Sequence, residues 1–437
     1  GLLAGSISGK VINVKVDGLV EGGSNVGGLV GSVSASGSIT NSSSSGLVKS
    51  HRSNVGGLVG YSLGSIHGSH SSVKVTLVSD DSTNVDLGYA GGLVGRASQI
   101  ENSYALGSVT VSNSGANFKY AGGLAGYTSN IVSNTYALGD VTVSNVISSS
   151  GIGGLIGGAM MTVRNSYASG NVIATDNYAG GLIGRSSSGV ENSYAKGNVT
   201  GRTYVGGLLG SLEKSSAITN SYAHGAVNAN NDFAGGLVGS IASTTSLYKV
   251  YALGNVTAEG SYGGGLVGRS SVFSKISSAF ATGNVSVKGS YAGGLIGHQT
   301  GHVSQCFAIG NISTNNFGGG LVGYLHKYSS LQQCYSLGDF ERLGSATYFG
   351  GLIGAKFLNS PQPIIQDVYR NSDALTDGGY VPNASGTALS AYHMEDELNF
   401  EGFAFDANPG NFSMKEDSFK PAWFNETHFP YPMLNFY

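Results

Sequence analysis

Gly91-Gly92-Leu93-Val94-Gly95 decides the fold of this chain, because the pattern Gly-Gly-Leu-x-Gly occurs twelve times between Gly27 and Gly354. Neighbouring copies begin 26–35 residues apart. A repeat this short predicts an array of one small unit, in which each copy buries its apolar side against the next. We therefore expect the leucine of every pentapeptide to lie in the core. These repeat-core leucines are Leu29, Leu58, Leu93, Leu124, Leu155, Leu182, Leu208, Leu237, Leu266, Leu295, Leu321 and Leu352.

A second phrase recurs between the pentapeptides and is clearest in residues 100–111, Ile-Glu-Asn-Ser-Tyr-Ala-Leu-Gly-Ser-Val-Thr-Val. Both phrases are short, β-branched or aromatic, and interrupted by Gly, Asn and Ser, which is typical of strands and turns. Two or three strands per repeat make one coil, and coils stack at about 4.8 Å. The sequence therefore predicts an all-β fold, a parallel β-helix or β-solenoid of about 12–13 coils.

Proline marks the expected end of the solenoid. No proline precedes Pro361, and all seven lie from there onward. Proline lacks the N–H that a stacked strand donates, so it is excluded from such a ladder. We expect a repeat solenoid over residues 1–357 and a capping segment over residues 358–437. Its aromatic side chains, which suit a lid over an exposed end, include Phe403, Phe405 and Trp423.

Alternation along the second phrase separates two faces. The small or apolar residues Ser103, Ala105, Gly107, Val109 and Val111 share one parity and predict an interior line. The opposite parity predicts solvent-facing columns, one of them polar. Its members are Asn198, Asn255, Asn284 and Asn311.

A tyrosine column follows the interior serine in most coils. Strict alternation points it outward, whereas a bend at the following glycine turns it inward. The burial tendency of large aromatic residues favours a stacked core column, and the alternative is an exposed aromatic stripe. Its members are Tyr104, Tyr136, Tyr167, Tyr194, Tyr222 and Tyr251, with Phe280 and Phe307 in later coils.

Composition narrows the classes of partner. Charged residues make up 11% of the 437 residues and the net charge is −3, so there is no basic field for nucleic acid. No apolar run reaches 18 residues, which predicts no transmembrane segment. Gly1-Leu2-Leu3-Ala4-Gly5 is similar to a further pentapeptide, so we expect the sequence to start inside a repeat.

The two phrases together resemble the GLUG repeat of bacterial surface proteins, over about Gly1 to Gly354. That family occurs in secreted adhesins of the filamentous haemagglutinin type and beside IgA-cleaving metallopeptidases. The resemblance implies a right-handed β-helix and a scaffold at the cell surface or outside the cell. The first three copies depart from the pattern, since their serine-rich phrases lack the tyrosine.

Few residues of this chain are candidates for a catalytic or metal-binding site. Asp140 and Asp339 replace asparagine in the outward column, and Asp80 and Asp81 belong to a polar insert, so no carboxylate pair of a polysaccharide-cleaving enzyme is predicted. His298, His302 and His326 fall in neighbouring repeats without a carboxylate, which favours surface histidines over zinc ligands. The chain also lacks a His-Glu-x-x-His motif. We predict a protein without enzymatic activity, metal or cofactor.

Cys306 and Cys334 occupy one column, one repeat apart. Their Cα atoms should lie about 5 Å from each other, a distance that a disulfide accepts. Such a bridge suits an exported protein. Equally, each cysteine can act as a small apolar residue in the interior line. Both interpretations stay open.

The sequence favours a non-enzymatic extracellular β-solenoid, either a cell-surface adhesin stalk or the subunit of an extracellular filament. Expected partners are other copies along the solenoid axis, or glycans or proteins of a host or cell surface. The alternative is a glycan-binding or polysaccharide-degrading β-helix that uses the insert around Asp80 or an exposed tyrosine stripe. A minor alternative is ice binding on the outward Asn and Thr columns, which Ile173 and Asn228 interrupt.

Overall fold

The computed structural model describes residues 1–79, 87–113, 117–146, 148–242, 244–344, 348–357, 362–371 and 387–389. The regular elements of these residues are β-strands, each paired in parallel with strands of neighbouring coils. Paired residues are successive copies of the repeat, since Val94 lies opposite Val59 on one side and Ala125 on the other. The predicted parallel β-solenoid is therefore confirmed.

Four parallel ladders run along the solenoid axis. The first ladder consists of strands that end at the first glycine of a pentapeptide. Its strands are Lys15–Gly27, Ser43–Gly56, Leu87–Gly91, Asn117–Gly122, Ser148–Gly153, Ala179–Gly180, Val205–Gly206, Ala234–Gly235, Gly263–Gly264, Ala292–Gly293, Phe317–Gly319 and Tyr348–Gly350.

The second ladder begins at the fourth residue of a pentapeptide or directly beside that position. Its strands are Ala4–Ile7, Val30–Val33, Val59–His67, Val94–Glu101, Ala125–Thr128, Ile156–Ala159, Ile183–Ser186, Leu209–Leu212, Val238–Ile241, Val267–Arg269, Ile296–Gln299, Val322–Leu325 and Ile353–Lys356.

The third ladder carries the tyrosine phrase, and the fourth carries the Val-Thr-Val phrase. Strands of the third ladder are Lys10–Ile12, Ser38–Thr40, His70–Ser71, Tyr104–Ala105, Val132–Ser133, Tyr136–Ala137, Val163–Arg164, Tyr167–Ala168, Val190–Glu191, Tyr194–Ala195, Ser216–Ala223, Thr245–Ala252, Lys275–Ala281, His302–Ala308, Ser330–Ser336, Ile364–Asn371 and Thr387–Leu389. Strands of the fourth ladder are Lys74–Ser79, Val109–Asn113, Val141–Ser144, Val172–Ala174, Val199–Gly201, Val227–Ala229, Val256–Ala258, Val285–Val287, Ile312–Thr314 and Phe340–Arg342.

The pentapeptide lies inside the solenoid. All twelve repeat-core leucines are buried, eleven with 0% of their surface exposed and Leu352 with 2%. The glycines allow the coils to approach closely. A Cβ added to Gly92 would lie 2.1 Å from the carbonyl oxygen of Gly123 in the next coil, closer than any side chain tolerates. The pentapeptide is thus a packing element and not a ligand-binding glycine loop.

The solenoid has about 11 turns, fewer than the 12–13 coils expected. The expectation counted pentapeptides, and these mark the boundaries between turns, so they outnumber the completed turns. The third ladder also continues past Phe357, because Ile364–Asn371 pairs with Ser330–Ser336. The division at residue 357 stays a prediction, and the predicted cap residues Phe403, Phe405 and Trp423 lie outside the described residues.

The predicted faces agree with the observed burial. Ser103, Ala105, Val109 and Val111 are at most 1% exposed. The outward asparagine column, represented by Asn198, is exposed. Within the described part of the chain, no helix is long and apolar enough to cross a membrane.

Candidate functional site: the side-chain columns of the surface

The outward asparagine column joins successive coils through hydrogen bonds. The side-chain oxygen of Asn171 accepts from the backbone N–H of Asn198 at 3.0 Å, and that of Asn255 accepts from Asn284 at 2.9 Å. Asp140 does the same for Asn171 at 2.7 Å. These side chains therefore satisfy backbone donors at a turn, and a bound ligand is not needed to explain the column.

A second amide column was missed by the sequence analysis. Asn102, Asn134, Asn165, Asn192 and Asn220 stack so that each side-chain N–H₂ donates to the side-chain oxygen of the preceding asparagine, at 3.1–3.2 Å. Their φ angles are 47–54°, the left-handed region that asparagine tolerates better than most residues. The signal was present in the recurrent Asn-Ser-Tyr, where Asn precedes the interior serine.

The tyrosine column is one continuous stack. From His70 to Tyr335, ring centroids of neighbouring coils lie 4.6–5.0 Å apart with interplanar angles of 2–5°. Its exposure changes along the axis: Tyr104 and Tyr194 are partly exposed, whereas Tyr251 is only 3% exposed. Each of the two interpretations left open by the sequence thus describes one half of the column.

Both cysteines are free thiols in the structure and are fully buried. They are register partners in neighbouring coils, as the repeat spacing predicts. The Cys306 thiol lies 3.1 Å from the carbonyl oxygen of Ser304, and the Cys334 thiol lies 3.1 Å from that of Gln332. The hydroxyl of Ser193 makes the same contact with Glu191. Burial raises the pKa of the Cys306 thiol, and each cysteine packs like the serine of other coils.

A second aromatic column was also missed. It lies in the first ladder, two residues before the pentapeptide, and most of its rings stack on those of the next coil at 4.9–6.0 Å. All its members are partly exposed. They are Tyr89, Tyr120, Tyr178, Tyr204, Phe233, Tyr262, Tyr291 and Phe317.

Five members of this column have φ angles of 60–68°, a region that bulky side chains rarely adopt. These are Tyr178, Tyr204, Phe233, Tyr262 and Tyr291. A conformation this unfavourable persists only where the surrounding structure enforces it. The recurrent aromatic at a fixed distance from Gly-Gly-Leu was the available sequence signal.

Cationic side chains border the second aromatic column. Arg96 lies over the rings of Tyr61, Tyr89 and Tyr127, with its Cζ 5.5–5.6 Å from each ring centroid. Further along the same outward column, Arg185 lies 4.7 Å from the ring centroid of Tyr178. These contacts are cation–π interactions, which favour planar guanidinium groups. The surface formed by the second aromatic column and its arginines is called the aromatic–cationic face below.

The three histidines that were considered as zinc ligands do not come together in the structure. His298 and His326 approach to 6.2 Å between ring centroids, but His302 instead shares a 2.9 Å hydrogen bond with the Ser330 hydroxyl. The part of the chain that the structure describes holds no group of three or more His, Cys, Asp or Glu placed to bind a metal ion. Burial lowers the pKa of His298 to about 4, so this imidazole is neutral at physiological pH.

The acidic residues of the repeats are dispersed along the solenoid. Glu191 pairs with Arg164 at 2.9 Å, and Glu101 lies 3.7 Å from His67. Asp140 serves the outward hydrogen-bonded column. Asp80 and Asp81 lie outside the described residues. The acids placed by the structure thus have local partners in the solenoid surface.

Comparison with known proteins identifies the repeat. A model of the GLUG motif matches residues 22–49, 51–76, 86–110, 148–173 and 175–200. The chain therefore contains five GLUG repeats, which occur in surface and secreted proteins such as IgA protease. A segment of 125 residues is 38% identical to Immunoglobulin A1 protease of Streptococcus sanguinis, and it covers 27% of this chain but only 6% of that protein. No solved structure matches the chain.

Proposed function

We propose that this chain is a non-enzymatic, extracellular structural solenoid that serves as an adhesin stalk or as the subunit of a surface filament. The observation that carries this proposal is the unbroken stacking of equivalent residues from coil to coil. Backbone ladders, asparagine columns and a ten-ring aromatic stack from His70 to Tyr335 all run along one axis. Such a body resists bending because each coil is fixed to its neighbours along several lines.

The extracellular part of the proposal is supported by the GLUG repeats and by the likeness to a streptococcal IgA1 protease. The matched portion is a small fraction of that relative, so its peptidase activity is not carried over to this chain. A repeat scaffold does not by itself define a function, and the proposal therefore rests on shape and surface chemistry.

Electron microscopy of the purified protein tests the proposal. A stalk should appear as separate short rods on the order of 50 Å long, from about 11 turns at about 4.8 Å each. A filament subunit should form axial polymers whose length increases with protein concentration. Globular particles, or turnover of neutral and acidic polysaccharides by the purified chain, would contradict the proposal.

Glycan binding is the second candidate, and the aromatic–cationic face favours it. Partly exposed rings repeated at about 5 Å lie beside arginine donors, and aromatic rings next to hydrogen-bond donors are the chemistry that recognises sugars. Ice binding has less support, because the outward Thr column is interrupted by Ile173, which is 48% exposed. A polysaccharide-binding assay separates the glycan-binding candidate from a purely structural role.

A further inference from the structure

One cluster on the aromatic–cationic face differs from the rest in composition. Tyr61, Arg96 and Tyr127 are register partners in three successive coils, so a cation lies between two tyrosines along one column. Tyr89 and Tyr120 are partners in the adjacent column. Three of these tyrosines, Tyr61, Tyr89 and Tyr127, lie within cation–π distance of Arg96, and Tyr120 stacks on Tyr89. We call these five residues the Arg96 cluster.

The rings of the Arg96 cluster form a platform and a wall. Tyr89 and Tyr120 are parallel within 3° at a centroid distance of 6.0 Å. Tyr127 is tilted by 48° to Tyr89 and by 46° to Tyr120, at 5.6 and 5.5 Å. All are partly exposed. The cluster therefore presents partly exposed aromatic rings in two orientations beside a single positive charge.

The Arg96 cluster ends abruptly in the next coil. There Gly151 lies opposite Tyr120, and Gly158 lies opposite Tyr127. A Cβ added to Gly158 would come within 2.6 Å of the Tyr120 ring, so this ring lies over the glycine. The glycines let the edge of the platform extend across the neighbouring coil. The two glycines thereby interrupt both columns of side chains at this coil.

Arg96 differs from Arg185, the next arginine of the same outward column. Arg185 makes an ion pair with Glu213. Among the residues that the structure describes, no carboxylate lies within ion-pair distance of Arg96 and no acceptor lies within hydrogen-bond distance of its guanidinium. Cation–π contacts stabilise the charge and do not use the N–H donors of the guanidinium.

We propose that the Arg96 cluster binds an acidic sugar residue of a polysaccharide or glycoconjugate. The sugar carboxylate pairs with the N–H donors of Arg96, because guanidinium and carboxylate form two parallel hydrogen bonds. One apolar face of the sugar ring packs on the Tyr89 and Tyr120 platform, and Tyr127 or Tyr61 borders it. A neutral sugar uses the platform alone and leaves the arginine unpaired.

The charge of the chain makes this choice of ligand specific. Only 11% of residues are charged and the net charge is −3, so no general positive field attracts polyanions. Recognition of an acid must then depend on a local cation. As a ligand site this proposal deepens the adhesive role and rests on it, although binding itself is measured independently of any stalk or filament.

Isothermal titration calorimetry with the full chain tests the site. The probes are an oligogalacturonate, a hyaluronan tetrasaccharide and sialyllactose, each beside its carboxyl-reduced form. We expect at least one acidic probe to bind and its reduced form to bind about tenfold more weakly or not at all. Raised salt should weaken the binding.

Variants localise the site. Arg96→Gln should lose about tenfold in affinity, and Arg96→Lys should retain part of it, because lysine keeps the charge but not the paired donors. Tyr89→Ala should weaken binding by removing platform surface. Arg164→Gln is the control: Arg164 lies in the third ladder, outside the aromatic–cationic face, and pairs with Glu191 at 2.9 Å, so its loss should leave the affinity unchanged.

Three results overturn the site: no acidic probe binds, the reduced probes bind equally well, or Arg96→Gln binds like the parent. Binding of an acidic peptide but of no acidic sugar also overturns it. Each variant's thermal midpoint shows that the solenoid is intact. A separate result would contradict the adhesive role alone. In that case the parent protein binds sugar in solution, but it neither attaches particles to an acidic-glycan surface nor polymerises.

Discussion

The corner before the tyrosine column is built differently in the two halves of the solenoid. In the coils from Asn102 to Asn220, an asparagine at positive φ precedes an interior serine or threonine, as in Asn192-Ser193-Tyr194. In later coils the same corner is Lys249-Val250-Tyr251 or Gln305-Cys306-Phe307, at φ of 53° in both. The backbone geometry is retained while the side chains change.

In the first half, side chains provide the hydrogen bonds of this corner. The Ser193 hydroxyl donates to the Glu191 carbonyl at 2.7 Å and accepts from the Ser166 N–H of the preceding coil at 3.1 Å. In the second half the interior position after the corner holds Val250, Ala279 or a cysteine in place of the hydroxyl, and the strands run unbroken through the corner, as in Thr245–Ala252. Such a strand includes both the residues before the corner and the aromatic that follows it.

The comparison teaches that the corner conformation is the fixed feature and that its means of stabilisation is interchangeable. The GLUG motif model matches repeats only as far as residue 200, yet the same ladders continue to Ile364–Asn371. The motif therefore describes one chemical solution of a coil that the rest of the chain builds with other residues. The aromatic stack is common to both halves and is partly exposed only in the first.

The largest expected effect comes from the buried leucines of the pentapeptide, which both halves share. Leu93→Ala and Leu295→Ala each remove a fully buried side chain of the pentapeptide, and both should destabilise the solenoid by about 2–5 kcal/mol. Denaturant unfolding followed by circular dichroism measures the loss. Similar values in the two halves are expected, and a tolerated Leu295→Ala would mean that the second half does not depend on the same core.

A smaller effect should distinguish the two corners. Ser193→Ala leaves the buried N–H of Ser166 without its acceptor and should cost about 1–3 kcal/mol. Cys306→Ala at the equivalent position removes only a weak thiol contact with Ser304, so its cost should be below that of Ser193→Ala. Hydrogen exchange of the Ser166 amide provides a local readout. Equal costs for the two variants would remove the distinction.

The asparagine ladder should contribute less, because it is exposed. Asn165→Ala loses two amide hydrogen bonds and places alanine at a φ of 48°, which should cost about 1–2 kcal/mol. Gln305→Gly at the equivalent corner relieves the positive φ and should stabilise by up to about 1 kcal/mol. Thermal unfolding of both variants checks the opposite signs. If Asn165→Ala stabilised the protein, the asparagine ladder would not contribute to its stability.

The last effect is a pH dependence that arises from buried histidines and acts below about pH 6.5. His224 packs on Tyr222 at 4.8 Å, and burial, with Lys196 adding a smaller effect, lowers its pKa to about 4. The unfolded chain takes up the proton near the ordinary pKa of 6.5, while the folded chain holds the neutral imidazole. Stability should therefore be constant above about pH 6.5 and decrease as the pH falls towards 4.

His298 should add to this decrease, since burial also lowers its pKa to about 4. The control is the double variant His224→Gln and His298→Gln, in which the slope of stability against pH between 6.5 and 4 should be reduced. Urea midpoints at several pH values measure it. An unchanged slope in the double variant would assign the acid sensitivity to other groups.

Much of the fold could be predicted because its signals are local and repeated. The leucine of each pentapeptide has one role in every coil, and the alternation through Ser103, Ala105 and Val109 fixes the interior line. The Arg96 cluster was harder to predict from the sequence. Arg96 and Tyr127 are 31 residues apart in sequence and meet only because one coil has that length, while Tyr120 reaches over Gly158 only in three dimensions.

The sequence by itself determined the solenoid, its period and its core. A short repeat allows few other arrangements when it has one buried leucine and glycines at which any side chain would clash with the next coil. Only the tertiary structure decided which side chains form columns on the surface. Register between coils set the Asn102–Asn220 amide ladder, the burial of the tyrosine stack after Tyr222, and the Arg96 cluster. Variable coil lengths hide these columns in the linear order, and stacking brings them together.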